Sequence, residues 1–286
     1  MGDLLWRHLC DLPAFRALLR AVEARFYRDL ALPDPLLDLG CGDGHFGSVA
    51  LEGRVSAGFD PWWVPLQEAR RRGAYSTLAQ AVGARMPFSD RHFATVVSNS
   101  VLEHIPDVQA VLDEVARVLK PGGWFYFCVP GPSFTRFLSV GRALDRLGCR
   151  PMADAYRRLF NRISRHHHCD GVAVWARRLD AAGLGLERWW AYFSPRALTA
   201  LEWGHYLGLP SLVTRKMTGR WVLWPSQANL CLTERLMRPL YDEPLSRPPA
   251  ARPHQEDPAA ESEGAYLFFV ARKSDTAGYD GGYGEK

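Results

Sequence analysis

No C-x-x-C pair occurs in this sequence. Its six cysteines, Cys10, Cys41, Cys128, Cys149, Cys169 and Cys231, are scattered. That spacing excludes a structural zinc ribbon and points to reduced thiols in a cytoplasm. No uninterrupted apolar run is long enough to span a bilayer. Met1 to Leu12 holds Asp3, Arg7, His8 and Asp11, which does not read as a signal peptide. No RNA-binding module is recognisable. What remains is a globular chain of 286 residues, 47% apolar, long enough for one large α/β domain with insertions.

Acidic residues are scarce in one segment. Between Gly131 and Leu240 there are 17 Lys+Arg against 7 Asp+Glu, whereas the whole chain has a net charge of only +4. The same segment holds six of the ten tryptophans: Trp175, Trp189, Trp190, Trp203, Trp221 and Trp224. Basic plus aromatic suits an anionic substrate, a membrane surface or nucleic acid. A helical cap with a solvated arginine face is the plainer reading.

The chain is organised around Leu36-Leu37-Asp38-Leu39-Gly40-Cys41-Gly42-Asp43-Gly44-His45-Phe46-Gly47. Leu36 to Leu39 reads as a buried strand, the alternate glycines as a turn, and His45 to Leu51 as a helix start. Such a turn bares backbone N–H groups and lets a ligand approach closely. Gly42 to Gly47 also fits the dinucleotide pattern G-x-G-x-x-G, with Asp60 near the position of a ribose-binding acid. A second strand, Arg54 to Asp60, delivers that carboxylate. It can chelate vicinal hydroxyls or cap the next helix.

Before the turn, Phe15, Leu18, Leu19, Val22, Phe26 and Leu30 space a helix over Leu12 to Leu32, with Arg16, Arg20, Glu23 and Arg25 mostly off the stripe. After it, strands are expected at Tyr75 to Val82, Phe93 to Ser98 and Trp124 to Val129. A helix runs from Val108, capped by Asp107 and ended by Lys120-Pro121-Gly122-Gly123. Alternating strands and helices predict an α/β, doubly wound parallel sheet.

Five stretches then carry a resemblance: Leu37 to Gly44, Gly58-Phe59-Asp60, Met86-Pro87-Phe88, Ser100 to Ile105 (Ser-Val-Leu-Glu-His-Ile) and Arg117 to Gly123. In that order and spacing they resemble the class I S-adenosylmethionine-dependent methyltransferases, type 11 branch, which includes ubiquinone and menaquinone C-methyltransferases. The likeness covers roughly residues 12–130 and favours S-adenosylmethionine over a dinucleotide. It implies a Rossmann-like seven-stranded sheet in the order 3-2-1-4-5-7-6 with helical lid insertions.

The resemblance also implies roles. Asp38, Gly40, Cys41 and Gly42 would flank the methionine and ribose parts of the cofactor. Asp60 would bind the ribose, Pro61 and Trp62 would lie beside the adenine, and Ser98 and Asn99 would approach the methionine tail. Two departures stand out. No acid precedes Met86-Pro87-Phe88 to hold the adenine amino group, so Gln80 is the substitute, and Ala94 stands where the family usually has Asp.

The expected parts are an N-terminal lid helix (1–32), a cofactor-binding core (33–130), a helical insertion (131–170) and a core helix and strand (171–193). A second helical insertion (194–245), a linker (246–263), a final strand (264–273) and a disordered tail (274–286) follow. In the first insertion, Pro132 to Gly148 and Pro151 to Arg165 read as two helices. Next, Leu186 to Phe193 reads as the sixth strand.

The sulfonium is itself a strong electrophile, so the protein must chiefly align the acceptor and exclude water. A base is needed when the acceptor is a hydroxyl or an activated carbon. His104 is the candidate base; the alternative is a loop histidine bonded to backbone. His166, His167, His168 and Trp203 are substrate candidates. The three adjacent histidines could instead be a polar connector before a helix capped by Asp170. No metal is assigned, because adjacent loop residues point different ways.

The expected function is a cytoplasmic methyltransferase of an O or C atom on a small, fairly apolar metabolite. One alternative is a peripheral membrane enzyme of a lipid or quinone, anchored by Trp203, Trp221 and Trp224. Another is a non-catalytic cofactor-binding partner protein. RNA methylation is disfavoured, because Asn99 leads into Ser100-Val101 and not the Asn/Asp-Pro-Pro-aromatic motif for exocyclic amines.

Overall fold

The computed structural model describes residues 3–51, 55–207, 217, 230–248 and 260–275. Seven strands form one sheet: β1 (Leu36–Leu39), β2 (Val55–Asp60), β3 (Tyr75–Gln80), β4 (Phe93–Asn99), β5 (Leu119–Pro130), β6 (Leu184–Tyr192) and β7 (Tyr266–Lys273). Their order is β3-β2-β1-β4-β5-β7-β6. The first five pair in parallel, while β7 runs antiparallel between β5 and β6. The expected sheet and strand order are therefore observed.

The helices follow hydrophobic spacing. In α5 (Val108–Val118), Val111, Leu112 and Val115 are fully buried, and Asp107 accepts the Ala110 N–H at 3.4 Å as the expected cap. With α9 (Val172–Ala181), α5 covers one face of the sheet, where Trp175 packs on Phe127 and Phe269. The other face takes α2 (Ala14–Arg28). There Phe26 meets Trp190, Tyr192 and Phe268 edge-to-face at about 5 Å. Each such aromatic contributes roughly 3–5 kcal/mol against truncation to Ala.

Several local expectations needed correction. The N-terminal segment holds two helices: α1 (Leu4–Asp11), capped by the Asp3 carboxylate, precedes α2. Pro13 separates them: it stands at the N-cap of α2, and inside one continuous helix it would remove a backbone hydrogen bond and clash with the preceding turn. The first insertion holds three helices, α6 (Ser133–Phe137), α7 (Ser139–Arg146) and α8 (Arg150–Ser164), since Leu138 is extended and fully buried. Gly171, not Asp170, caps α9. The Asp170 carboxylate is already held by Arg178 at 2.7 Å.

The remaining helices of the core are α3 (His45–Ala50) and α4 (Trp63–Arg72). The second insertion contributes α10 (Pro195–Leu207) and α11 (Leu230–Tyr241). Pro210, Trp221, Trp224 and Pro225, most of the linker, and the tail beyond 275 lie outside the described residues.

Candidate active site

The turn after β1 keeps its backbone close to its neighbours. Gly40, Gly42 and Gly44 all have positive φ, the left-handed region that side chains disfavour. A Cβ on Gly40 would come within 2.6 Å of Val101, but a Cβ on Gly42 would meet nothing within 4 Å. Gly42 is thus the point of the turn that faces open space. Its N–H is held by Asp60 Oδ2 at 3.1 Å, while Oδ1 of the same carboxylate accepts the Trp62 N–H at 2.9 Å. Asp60 fastens the ends of β1 and β2 together. Burial pushes its pKa up, against the two backbone N–H bonds.

Asp38 lies buried under this turn. Tyr75, the first residue of β3, donates its hydroxyl to Asp38 Oδ2 at 2.6 Å. The ring reaches it by passing over Gly58, where a Cβ would lie 2.7 Å from Tyr75, and against Gly47. Gly58 is needed there for the space it leaves. Burial pushes the Asp38 pKa up to about 6; the Tyr75 bond opposes this and the Asp60 charge adds to it. Tyr75 had no expected role, although glycines inside a strand and a helix signal such a close approach.

Gln80 pairs with Asp60 across β3 and β2, and its amide donates to the Pro61 carbonyl at 3.0 Å. Trp62 and Trp63 are exposed at this edge. Cys41 is buried, which raises its thiol pKa and keeps it neutral.

At the end of β4 the two candidate residues diverge. Ser98 is fully buried, and its hydroxyl has no partner among the described residues. Asn99 turns to the opposite face, as alternate strand residues must. There its amide donates to Glu23 Oε2 at 2.6 Å and its oxygen accepts from the Cys128 thiol at 3.1 Å. That side chain is already committed. Glu23 belongs to the buried face of α2, a correction to its expected place off the stripe. It also accepts from Arg20 at 2.6 Å, Tyr192 at 2.9 Å and Ser100 at 3.0 Å. Four donors surround one buried carboxylate, so the N-terminal helix is keyed to the end of β4.

Beyond Ser100 a short 3-10 turn (Leu102–His104) presents Glu103 and His104. His104 Nδ1 lies 3.0 Å from the Arg165 carbonyl, which can only accept, so Nδ1 carries the proton and Nε2 is the open lone pair. Arg165 aims that carbonyl from a left-handed conformation (φ 57°) at the end of α8. Desolvation lowers the His104 pKa, so the ring is neutral near pH 7.

Glu103 is buried, and its Oε2 has no partner among the described residues. Burial pushes its pKa up to about 8, against the opposing Arg20 charge. His166 completes the group. Its ring centroid is 5.5 Å from that of His104, and burial lowers its pKa to about 3. Glu103, His104 and His166 each offer one ligand atom, all within 4.8 Å of one another. Those atoms could hold a cation only after Glu103 loses its proton. Kept neutral, they offer one acidic O–H beside imidazole lone pairs.

The other histidines separate from this site. His167 is exposed, and its backbone N–H donates to the Glu103 carbonyl at 2.7 Å. His168 Nε2 lies 2.9 Å from the Ile105 carbonyl and Nδ1 lies 3.3 Å from Asp170, so its ring is a strut. Trp203 sits exposed on α10, its indole donating to Ser139 Oγ at 3.0 Å.

Residues 37–127 match a family model described as a methyltransferase domain. Over that stretch the chain is similar to methyltransferase domains. A ubiquinone biosynthesis O-methyltransferase of Klebsiella pneumoniae is 35% identical over 98 residues, 32% of this chain and 40% of that protein. An uncharacterised protein of Mycobacterium tuberculosis is 36% identical over 115 residues, 40% of this chain and 38% of that protein. The chain therefore spans about two fifths of the length of these curated relatives. A solved S-adenosylmethionine-dependent methyltransferase from Thermotoga maritima has the same fold, with TM-score 0.53 and 15% identity, covering 91% of each chain.

The expected cofactor is S-adenosylmethionine. The residues present fit it. The turn opens at Gly42 alone of its three glycines, an acid ends β2, and the Ser98 hydroxyl lies buried without a partner among the described residues.

Proposed function

We propose that this chain methylates an O or C atom of a small, fairly apolar acceptor, with His104 as the base. Bound S-adenosylmethionine supplies an electrophilic methyl group. Asp38, Gly40, Cys41 and Gly42 hold its methionine and ribose parts, Asp60 takes the ribose hydroxyls, and Pro61, Trp62 and Gln80 flank the adenine. Ser98 faces the methionine tail, while Asn99 serves through its hold on Glu23.

One observation carries the choice of base: the Arg165 carbonyl fixes the His104 tautomer, leaving Nε2 bare beside Glu103 and His166. Nε2 takes the acceptor's proton. The neutral Glu103 carboxyl and the His166 ring orient the acceptor by hydrogen bonds, and the lid helices keep water out. The six cysteines form no disulfide, which supports work in a reducing cytoplasm.

The test is transfer of labelled methyl from S-adenosylmethionine to a panel of phenols and activated carbon acids. His104→Ala should lower kcat by about 10²–10⁴-fold. Calorimetric cofactor affinity should stay unchanged. Full activity in the variant would remove His104 as base, and failure to bind S-adenosylmethionine would remove the reading altogether.

A further inference from the structure

The first insertion exposes an apolar strip that the chemistry above does not use. Met152, Leu159 and Ile163 of α8 are 61%, 51% and 50% exposed, and Leu147 at the α7–α8 turn is 75% exposed. At about 100° per residue, the three α8 side chains fall within an arc of roughly 40°. The face that packs inward is a different one, carrying Ala153 and Phe160.

Arginine lines the other side of this strip. From Ser139 to Arg165 there are only two acids, Asp145 and Asp154, and both pair with Arg157. Among the described residues no acid pairs with Arg146, Arg150, Arg158 or Arg162. Arg158 and Arg162, one turn apart, flank the strip opposite the buried face. The α7–α8 hairpin thus offers aliphatic side chains and uncompensated positive charge in one direction.

Aromatic groups continue the strip. Tyr156 is hydrogen-bonded by the Tyr206 hydroxyl at 2.8 Å, and Tyr206 lies against exposed Trp203, ring centroids 6.0 Å apart. Tyr and Trp at the margin of an aliphatic, arginine-flanked helix suit the boundary between water and lipid.

We infer that the α7–α8 hairpin docks this protein on a bilayer of anionic phospholipid. A second copy of the chain fits poorly, because its own arginines would face these. Nucleic acid would satisfy the arginines but leave Met152, Leu159 and Ile163 in water. An anionic bilayer takes both, with the aliphatic strip at the acyl boundary and the guanidinium groups among the headgroups. The location matters for chemistry. Arg165 at the end of α8 holds His104, and His166 follows it, so the docked helix ends at the candidate acceptor site. An apolar acceptor dissolved in the membrane would be delivered there.

The experiment is co-sedimentation of the full chain with phosphatidylcholine vesicles, with and without phosphatidylglycerol. It compares the wild type, Leu159→Ser/Ile163→Ser and Arg158→Glu/Arg162→Glu. Calorimetric binding of S-adenosylhomocysteine on the same samples reports that each variant is folded. The wild type should bind phosphatidylglycerol vesicles, bind phosphatidylcholine alone weakly, and lose binding with salt. Each double variant should partition at least about tenfold less. No wild-type binding, or equal binding by the variants, overturns the inference. So does retention of an oligonucleotide, or self-association in sedimentation velocity, that the variants abolish while vesicle binding is absent. The docking does not rest on the proposed methyl transfer, since vesicle partition and cofactor affinity are read separately.

Discussion

The Tyr75 hydroxyl donates to Asp38 Oδ2 at 2.6 Å, so the first residue of β3 supports the carboxylate beneath the glycine turn. Tyr75→Phe keeps the ring between its glycines and removes only the donor. It should cost about 1–3 kcal/mol in urea unfolding, the price of leaving a buried acceptor unsatisfied.

The same substitution should carry the loss of stability on to higher pH. The Asp38 pKa lies above its ordinary value, so the folded state holds this proton more tightly than the unfolded chain. Its contribution is complete below pH 3.8 and fades as pH rises through about 6. Losing the Tyr75 donor raises that folded pKa further and moves the upper end of the window upward. Urea midpoints measured from pH 4 to pH 8 will show it; identical slopes in the two proteins would contradict it.

Glu103 gives a wider window. Its folded pKa of about 8 lies above the ordinary 4.5, so its stabilising effect is lost as pH climbs from 4.5 through 8. Glu103→Gln, which does not titrate, should be less pH-dependent over that range and more stable than the wild type near pH 8.5. A wild-type unfolding curve that is flat across the window would contradict the buried, neutral carboxyl.

Glu23→Ala leaves Arg20 and three further donors without their acceptor. The expected loss is about 3–5 kcal/mol, because one charge of a buried pair is left uncompensated. The readout is the unfolding midpoint, together with hydrogen exchange of α2 amides, which should quicken more than those of α5. Equal quickening in both helices would mean that Glu23 does not key the N-terminal helix to β4.

Asp60→Ala should weaken S-adenosylmethionine binding by at least about tenfold by calorimetry, since the carboxylate proposed to take the two ribose hydroxyls is lost. Asp60→Asn separates the roles. One amide oxygen can still accept a backbone N–H, so the fold should recover more than the affinity does.

Much of this was legible in the sequence, for identifiable reasons. The sheet order followed from five motifs whose spacing one family shares, and α5 showed itself by a stripe and a capping acid. Glu23 stayed hidden because charged residues are normally assigned to the solvent side of a helix; only the structure shows its four donors. Tyr75 stayed hidden because its partner is 37 residues away. The three consecutive histidines looked equivalent, yet backbone bonds from two of them to the Glu103 carbonyl turn one ring outward and one into a strut. Sequence adjacency carries no such orientation.

The antiparallel position of β7 has a consequence for the protein while it is being made. Among the described residues the outermost strand β6 pairs only with β7, which is synthesised after the whole second insertion. At ~5–20 residues per second, Trp189, Trp190 and Tyr192 must wait several seconds for Phe268 and Phe269 to leave the ribosome. During that interval a strand edge rich in tryptophan is unpaired. A nascent chain stalled before residue 266 should therefore recruit chaperones that a chain released after residue 273 no longer needs.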